Sequence, residues 1–259
     1  MASAAPANEL PLFYRDLIPL SSVEHRDWRV RPMETLEFAR GAHAIPVTVD
    51  EFMLAQRFYP IVFSSGAEAV PIALMGLNEG HNVYIGEDGK LAEDVYLPAY
   101  MRRYPFMLAR LRPDAEELSL CFDPSAGMVG AFAEGEPLFD GDQPSPHTRA
   151  ALEFCEQFEV AGQRTGQFVK ELQDAGLMMD GEVSIQLEGA AEPVIYRGFQ
   201  MVNEEKLRDV RGDQLRKWNQ SGLLPLIWAH LFSLSLITGV FARQQRAQQA
   251  AGPAATLAF

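Results

Sequence analysis

The 259-residue chain has only two cysteines, Cys121 and Cys155, with no C-x-x-C spacing. A disulfide framework and a thiolate zinc site both lack the sulfurs they require. Cys121 sits in an apolar strand-like run and Cys155 on the apolar face of a helix, so both read as small core residues of a reducing compartment. Basic charge is also scarce. Lys and Arg total 22 against 35 Asp and Glu, for a formal charge of −13, and only four of the 22 are lysines. General nucleic-acid binding depends on neutralising phosphates, and docking on anionic lipid needs a basic surface, so neither is expected of this chain. Residues 1–10 contain no basic n-region and no apolar h-region, which leaves no classical export signal and points to the cytoplasm. The chemistry motifs are equally sparse. There is no G-x-S-x-G elbow, no G-x-x-x-x-G-K loop, no G-x-G-x-x-G and no H-E-x-x-H. Asp140-Gly141-Asp142 lacks the other ligands of a calcium loop, and the five histidines are dispersed with no pair at i, i+4. No metal and no cofactor is expected.

What the chain does contain is ordinary globular composition, 47% apolar and 22% charged, enough for a proper core. We read residues 1–15 as a disordered lead-in, 16–248 as a single α+β domain and 249–259 as a flexible tail. The clearest element is a helix near 145–175. Ser145-Pro146 supplies a cap and a first-turn proline, Gly176 supplies the stop, and Ala151, Cys155, Phe158, Gly162, Thr165, Val169 and Leu172 recur at helical spacing. Gly162 and Gly166 weaken its middle, which predicts a close helix crossing there. The first half reads as strands and turns. Thr48-Val49-Asp50-Glu51 is a capping box opening a short helix through Phe58. Ile61–Phe63 and Val70–Leu74 form a hairpin pattern, Asn82–Ile85 a strand, and Phe106–Arg110 with Leu118–Phe122 a second strand pair. Val183–Leu187 and Val194–Tyr196 make a third hairpin across Glu188-Gly189-Ala190, and helices follow near 203–210 and 212–219. Short connections favour antiparallel pairing.

From Gly222 to Ala242 no residue is charged, a run long enough to span a bilayer. His230, Ser233 and Thr238, widened by Ser235, place a polar band on one side, which suits a helix buried against a soluble core better than one facing lipid. A membrane span is therefore not expected.

Two segments echo each other 45 residues apart: Arg57-Phe58-Tyr59-Pro60-Ile61 and Arg102-Arg103-Tyr104-Pro105-Phe106. Proline cannot extend a helix and pushes the preceding tyrosine to extended geometry, so each Tyr-Pro reads as a switch from helix to strand. The second echo ends the densest polar–aromatic cluster of the chain, Tyr96 to Phe106. Paired guanidiniums among tyrosines can grip a carboxylate, phosphate or sugar by forked hydrogen bonds and ring stacking. The alternative is that Arg102 and Arg103 pair with acids such as Glu93 or Asp94 while the tyrosines pack.

These residues, with Glu51-Phe52, Tyr59–Phe63, Pro71–Leu77, Asn82–Ile85, Gly135–Phe139, Gly198-Phe199, Asn203–Leu207 and Ala229–Leu234, resemble the bacterial SapC family. The resemblance does not extend to the multi-span transport permease that shares the name. It implies an association with surface-layer genes and with outer-membrane peptide or glycan handling, and it supplies no catalytic residue. Two readings follow. The first is a soluble accessory or binding protein whose site uses Arg102, Arg103, Tyr100, Tyr104, Tyr59 and His230 for a small anionic, peptide or glycan ligand. The second is an enzyme acting on a surface polymer or peptide, with His230 as general base and an arginine holding an anionic group.

Overall fold

A computed structural model describes residues 10–66, 68–112, 117–185 and 193–251. The lead-in expected over 1–15 falls largely outside the described residues, as do most of the 249–259 tail and the turn at 188–190. The fold is α+β, with antiparallel sheets, a long central helix and an apolar C-terminal helix. Where the sequence draws one domain over 16–248, the described residues group into two compact units, each assembled from two stretches of chain.

The first unit comprises residues up to Glu34 and Arg103–Glu159. Its strands Phe106–Ala109 and Ser119–Phe122 pair antiparallel with Met107 opposite Cys121, as their apolar alternation requires, and Ile18–Pro19 adds to the free edge opposite Phe122 and Cys121. Arg29–Val30 pairs with both Val129–Gly130 and Glu136–Pro137. Phe106, Leu108, Phe122, Val129, Leu138 and Cys155 share one buried cluster, so Cys155 packs as a core residue. Cys121 is buried as well, and burial pushes both thiols up, Cys155 to about 12. Neither sulfur is a thiolate at neutral pH.

The second unit comprises Thr35–Arg102 and the chain from Val160 onward. Its five-stranded sheet runs in the order Met178–Ile185, Val194–Val202, Ile61–Ser64, Pro71–Leu74, Ala44–Pro46, antiparallel at every step. The hairpin read from Ile61–Phe63 and Val70–Leu74 is present, with Ile61 opposite Ala73. The strand expected at Asn82–Ile85 is not formed; a single bridge joins Ile85 to Leu91. Asn82 is the reason. Its Oδ1 accepts the Tyr84 N–H at 3.0 Å, closing a turn over residues that would otherwise extend, and its Nδ2 donates to Ala42 O at 3.1 Å.

The long helix spans Pro146–Asp174 and begins at the expected cap, with Ser145 Oγ accepting the Thr148 N–H at 3.1 Å. Ala161, Thr165, Phe168, Val169 and Leu172 are buried along it. Gly162 and Gly166 are not crossing points. Both are exposed, and a Cβ added at either would meet nothing within 4 Å. Helices Glu204–Arg208 and Gly212–Ser221 follow, the first capped by Asn203 Oδ1 on the Lys206 N–H.

The apolar C-terminal run forms the helices Leu223–Ser233 and Ile237–Ala251, joined by a 3-10 turn at Leu234–Leu236. Leu223–Gln249 is long and apolar enough to cross a membrane, with a mean hydropathy of 1.8 and 33% of its most apolar window buried. Ile227, His230, Ser233, Ile237, Val240 and Gln244 make the buried stripe at helical spacing. The polar band divides: His230 and Ser233 face inward, while Ser235 and Thr238 are exposed.

Candidate functional site

Both Tyr-Pro segments switch from helix to strand. Phe52–Ala55 precedes Tyr59-Pro60 and the strand from Ile61, and Ala99–Arg102 precedes Tyr104-Pro105 and the strand from Phe106. The two echoes serve different units, the first in the second unit and the strand from Phe106 in the first. The six candidate residues divide accordingly. Arg102, Tyr100, Tyr59 and His230 belong to the second unit, Arg103 and Tyr104 to the first.

In the second unit the site is organised by Glu51. A carboxylate at the third position of a capping box ordinarily serves the cap alone. Here Oε2 accepts from Thr48 N–H at 3.0 Å and Thr48 Oγ1 at 3.1 Å, while Oε1 accepts from the Tyr96 hydroxyl at 2.9 Å and the Ala99 N–H at 2.6 Å. Glu51 is buried, and a buried carboxylate is tolerated where its lone pairs are filled in this way. Tyr96 in turn accepts a hydrogen bond from Arg102 Nη2 at 3.0 Å, and the guanidinium carbon lies 5.6 Å from its ring centroid. Burial and the neighbouring Glu51 carboxylate push the Tyr96 phenol up to about 12, against the opposing pull of Arg102. Tyr96 therefore stays protonated at neutral pH and holds its bond to Glu51.

The relay continues inward. The Tyr59 hydroxyl donates to Tyr96 O at 2.6 Å, and its ring meets Tyr84 edge-on at 4.8 Å. Tyr84 donates to Phe58 O at 2.9 Å and lies beneath the Arg243 guanidinium, 4.9 Å from the ring centroid. Burial raises the pKa of Tyr59 and of Tyr84. Two exposed guanidiniums, Arg102 and Arg243, are thus anchored at the ends of a tyrosine series, the half-buried Tyr96 and the buried Tyr59 and Tyr84. An aromatic seat holds each guanidinium plane and lowers the entropy lost when it binds an anionic group. Tyr100 is buried on the helix that presents Arg102.

Arg103 is placed differently. Within the first unit it is 6% exposed, pairs with Glu159 at 3.6 Å, and lies 4.3 Å from the Phe158 ring centroid and 5.8 Å from that of Tyr14. Tyr104 packs edge-on against Tyr14 at 5.3 Å, and burial followed by the Asp123 charge pushes its phenol up to about 12.

His230 has no exposed surface. The Val202 N–H donates to Nε2 at 3.0 Å, so Nε2 is the unprotonated nitrogen and Nδ1–H donates to Ile61 O at 2.7 Å. The register of the adjoining strands explains the geometry. Phe199 pairs with Ser64 and Gln200 with Phe63, a progression that two residues further on would bring Val202 opposite Ile61. The imidazole stands in place of that rung. Burial lowers its pKa to about 4, partly offset by the bond to Ile61 O, so it is neutral at pH 7. Ser233, one turn on, accepts the Ile61 N–H at 2.8 Å and donates to His230 O at 2.6 Å.

Tyr96 lies in the segment that the sequence singles out, but the parts of Glu51, Tyr84 and Arg243 escape a sequence reading. Glu51 is accounted for by its cap, and Tyr84 lies in a supposed strand. Arg243 reads as the hydrophilic end of an apolar helix. Among the described residues no group of three or more His, Cys, Asp or Glu side chains is placed to hold a metal ion.

The fold and these residues define an α+β protein with an arginine–tyrosine surface cluster and a histidine built into its sheet. The chain matches the SapC family over residues 20–239 and belongs to that family. No curated protein and no solved structure matches it.

Proposed function

We propose that this SapC-family chain is a soluble binding protein rather than a catalyst, serving peptide or glycan handling at the surface layer or outer membrane. Arg102 is its anion-holding residue. The observation that carries the reading is the commitment of both His230 ring nitrogens to backbone groups. A general base must reach the proton it removes, and this imidazole is enclosed and bonded on both sides. Arg102, in contrast, is exposed and seated on Tyr96, with Glu51 fixing the tyrosine from below.

The test is calorimetric titration with inorganic phosphate, a uronic-acid trisaccharide and an acetylated tripeptide bearing a free carboxylate. At least one of them binds, and Arg102→Ala weakens it by about 1.5–3 kcal/mol, the range of a charge-assisted hydrogen bond. Arg102→Lys does not restore binding, because an ammonium cannot reproduce the planar fork. Affinity indifferent to Arg102 overturns the reading.

A further inference from the structure

The second unit contains a cavity of about 310 Å³ between the ends of the Met178–Ile185 and Val194–Val202 strands and the C-terminal helix. Its lining is notable for chemistry in two kinds only. Four carboxamides enter it: Asn78 from the loop after Leu77, and Gln244, Gln245 and Gln248 from one face of the helix at i, i+1 and i+4. The remainder is apolar or aromatic, including Ile185, Tyr196 and Phe241. Among the described residues, none that lines it is Asp, Glu, Lys, Arg or His.

The uncharged lining restricts the ligand. A carboxylate, phosphate or ammonium group would meet no counter-charge among the described lining residues, whereas a neutral polar group needs none. A carboxamide both donates and accepts, and so does a hydroxyl; four carboxamides around an aromatic wall match a ring that carries hydroxyls at its edge and C–H groups on its face. The framework is fixed before binding. Gln244 is buried and its Oε1 accepts the Leu77 N–H at 3.0 Å, which holds its carboxamide and the start of the Asn78 loop together. Tyr196 is stacked on Phe199, with ring centroids 5.5 Å apart and planes 23° from parallel. The volume lies at the low end of ligand sites, room for one or two sugar rings rather than an extended peptide.

We infer that this cavity is a binding site for a neutral saccharide unit, separate in its chemistry from the arginine–tyrosine cluster. The edge carboxamides Gln245 and Gln248 bond its hydroxyls, and Tyr196 and Phe241 cover its apolar face.

The test uses the full chain and four neutral trisaccharides: maltotriose, cellotriose, mannotriose and fully N-acetylated chitotriose. A uronic-acid trisaccharide and an acetylated, amidated tripeptide serve as charged and peptide controls. Binding is read by calorimetry and by amide chemical shifts. At least one neutral trisaccharide binds in the micromolar to millimolar range, and both controls fail at this cavity. Gln245→Ala with Gln248→Ala, substitutions that a helix accepts readily, weakens binding roughly tenfold or more, as loss of one or two hydrogen bonds requires. Thermal melting confirms that the variant is folded. Arg102→Ala leaves this binding unchanged, so failure here and failure at the arginine cluster are distinguishable. Absence of any neutral-sugar response at roughly 10 mM overturns the inference, since weaker association has no specificity to assign. So does a response that the double variant leaves intact, or binding of the tripeptide in place of the sugars.

Discussion

His230 supplies to Ile61 the hydrogen bond that the neighbouring strand does not: Nδ1–H reaches Ile61 O at 2.7 Å, while Nε2 takes the Val202 N–H at 3.0 Å. The relationship makes stability depend on pH in a definite direction. The folded chain holds this imidazole neutral down to about pH 4, whereas an unfolded histidine binds a proton near 6.5. Between those values only the unfolded state takes up the proton. Stability from this group is therefore fully present above pH 6.5 and is lost as the pH falls toward 4, at up to about 1.4 kcal/mol per pH unit. Urea unfolding at pH 7, 5.5 and 4.5 checks it. His230→Gln, which keeps one donor and one acceptor but does not titrate, flattens the dependence in that window.

Arg102 and Arg103 are adjacent in sequence and opposite in consequence. Arg103→Ala removes a buried cation that meets Glu159, Phe158 and Tyr14, and it destabilises the fold by about 3 kcal/mol or more. Arg102→Ala changes stability by no more than about 1 kcal/mol, because its guanidinium is exposed. Paired thermal melts of the two variants decide the matter; similar losses would mean that Arg102 is structural as well.

Gly162 and Gly166 lie on the exposed side of a 29-residue helix with open space where a Cβ would go. Gly162→Ala and Gly166→Ala each stabilise by about 0.5–1 kcal/mol, since alanine loses less backbone entropy in a helix and displaces nothing. Chemical denaturation of the double variant gives nearly the sum. A loss of stability would reveal a packing role for the glycines.

Ile227 and Phe232 separate the two faces of the apolar C-terminal helix. Ile227 is fully buried and Phe232 is 67% exposed, stacked on Trp228 at 5.6 Å. Ile227→Asp costs several kcal/mol and unfolds much of the protein, because the charge has no partner. Phe232→Asp costs no more than about 1.5 kcal/mol, the worth of an aromatic pair. Circular dichroism of both proteins, with recovery in the detergent-free fraction, tests the pair.

Local signals in the sequence were sufficient for much of this fold. The long helix begins at Ser145-Pro146 and stops before Gly176 because capping and glycine chemistry act within a few residues. Both Tyr-Pro switches are legible for the same reason. What failed, failed where a side chain reached across the chain. Asn82 turns a supposed strand through bonds to Tyr84 and Ala42, and no hydropathy pattern records them. The arginine pair is read as one unit because the residues are neighbours, yet Arg102 turns to Tyr96 and Arg103 to Glu159. His230 was visible as a polar residue in an apolar helix. Its partners are 169 and 28 residues distant, and only the sheet register reveals why an imidazole stands there.

Those separations also order events during synthesis, when the chain emerges amino terminus first. Ile18 waits for Phe122 before its strand has a neighbour, so the first unit closes only after residues 35–102 of the second are already out. Ile61 waits longer. Its N–H and C=O acquire Ser233 and His230 only when the Leu223–Ser233 helix is made, 172 and 169 residues later. Until then the central strand of the five-stranded sheet holds two unpartnered polar groups at its start, which the nascent chain must leave to water. A stop codon anywhere before residue 230 leaves them so permanently. The Leu223–Ser233 helix thus seals a strand made long before it.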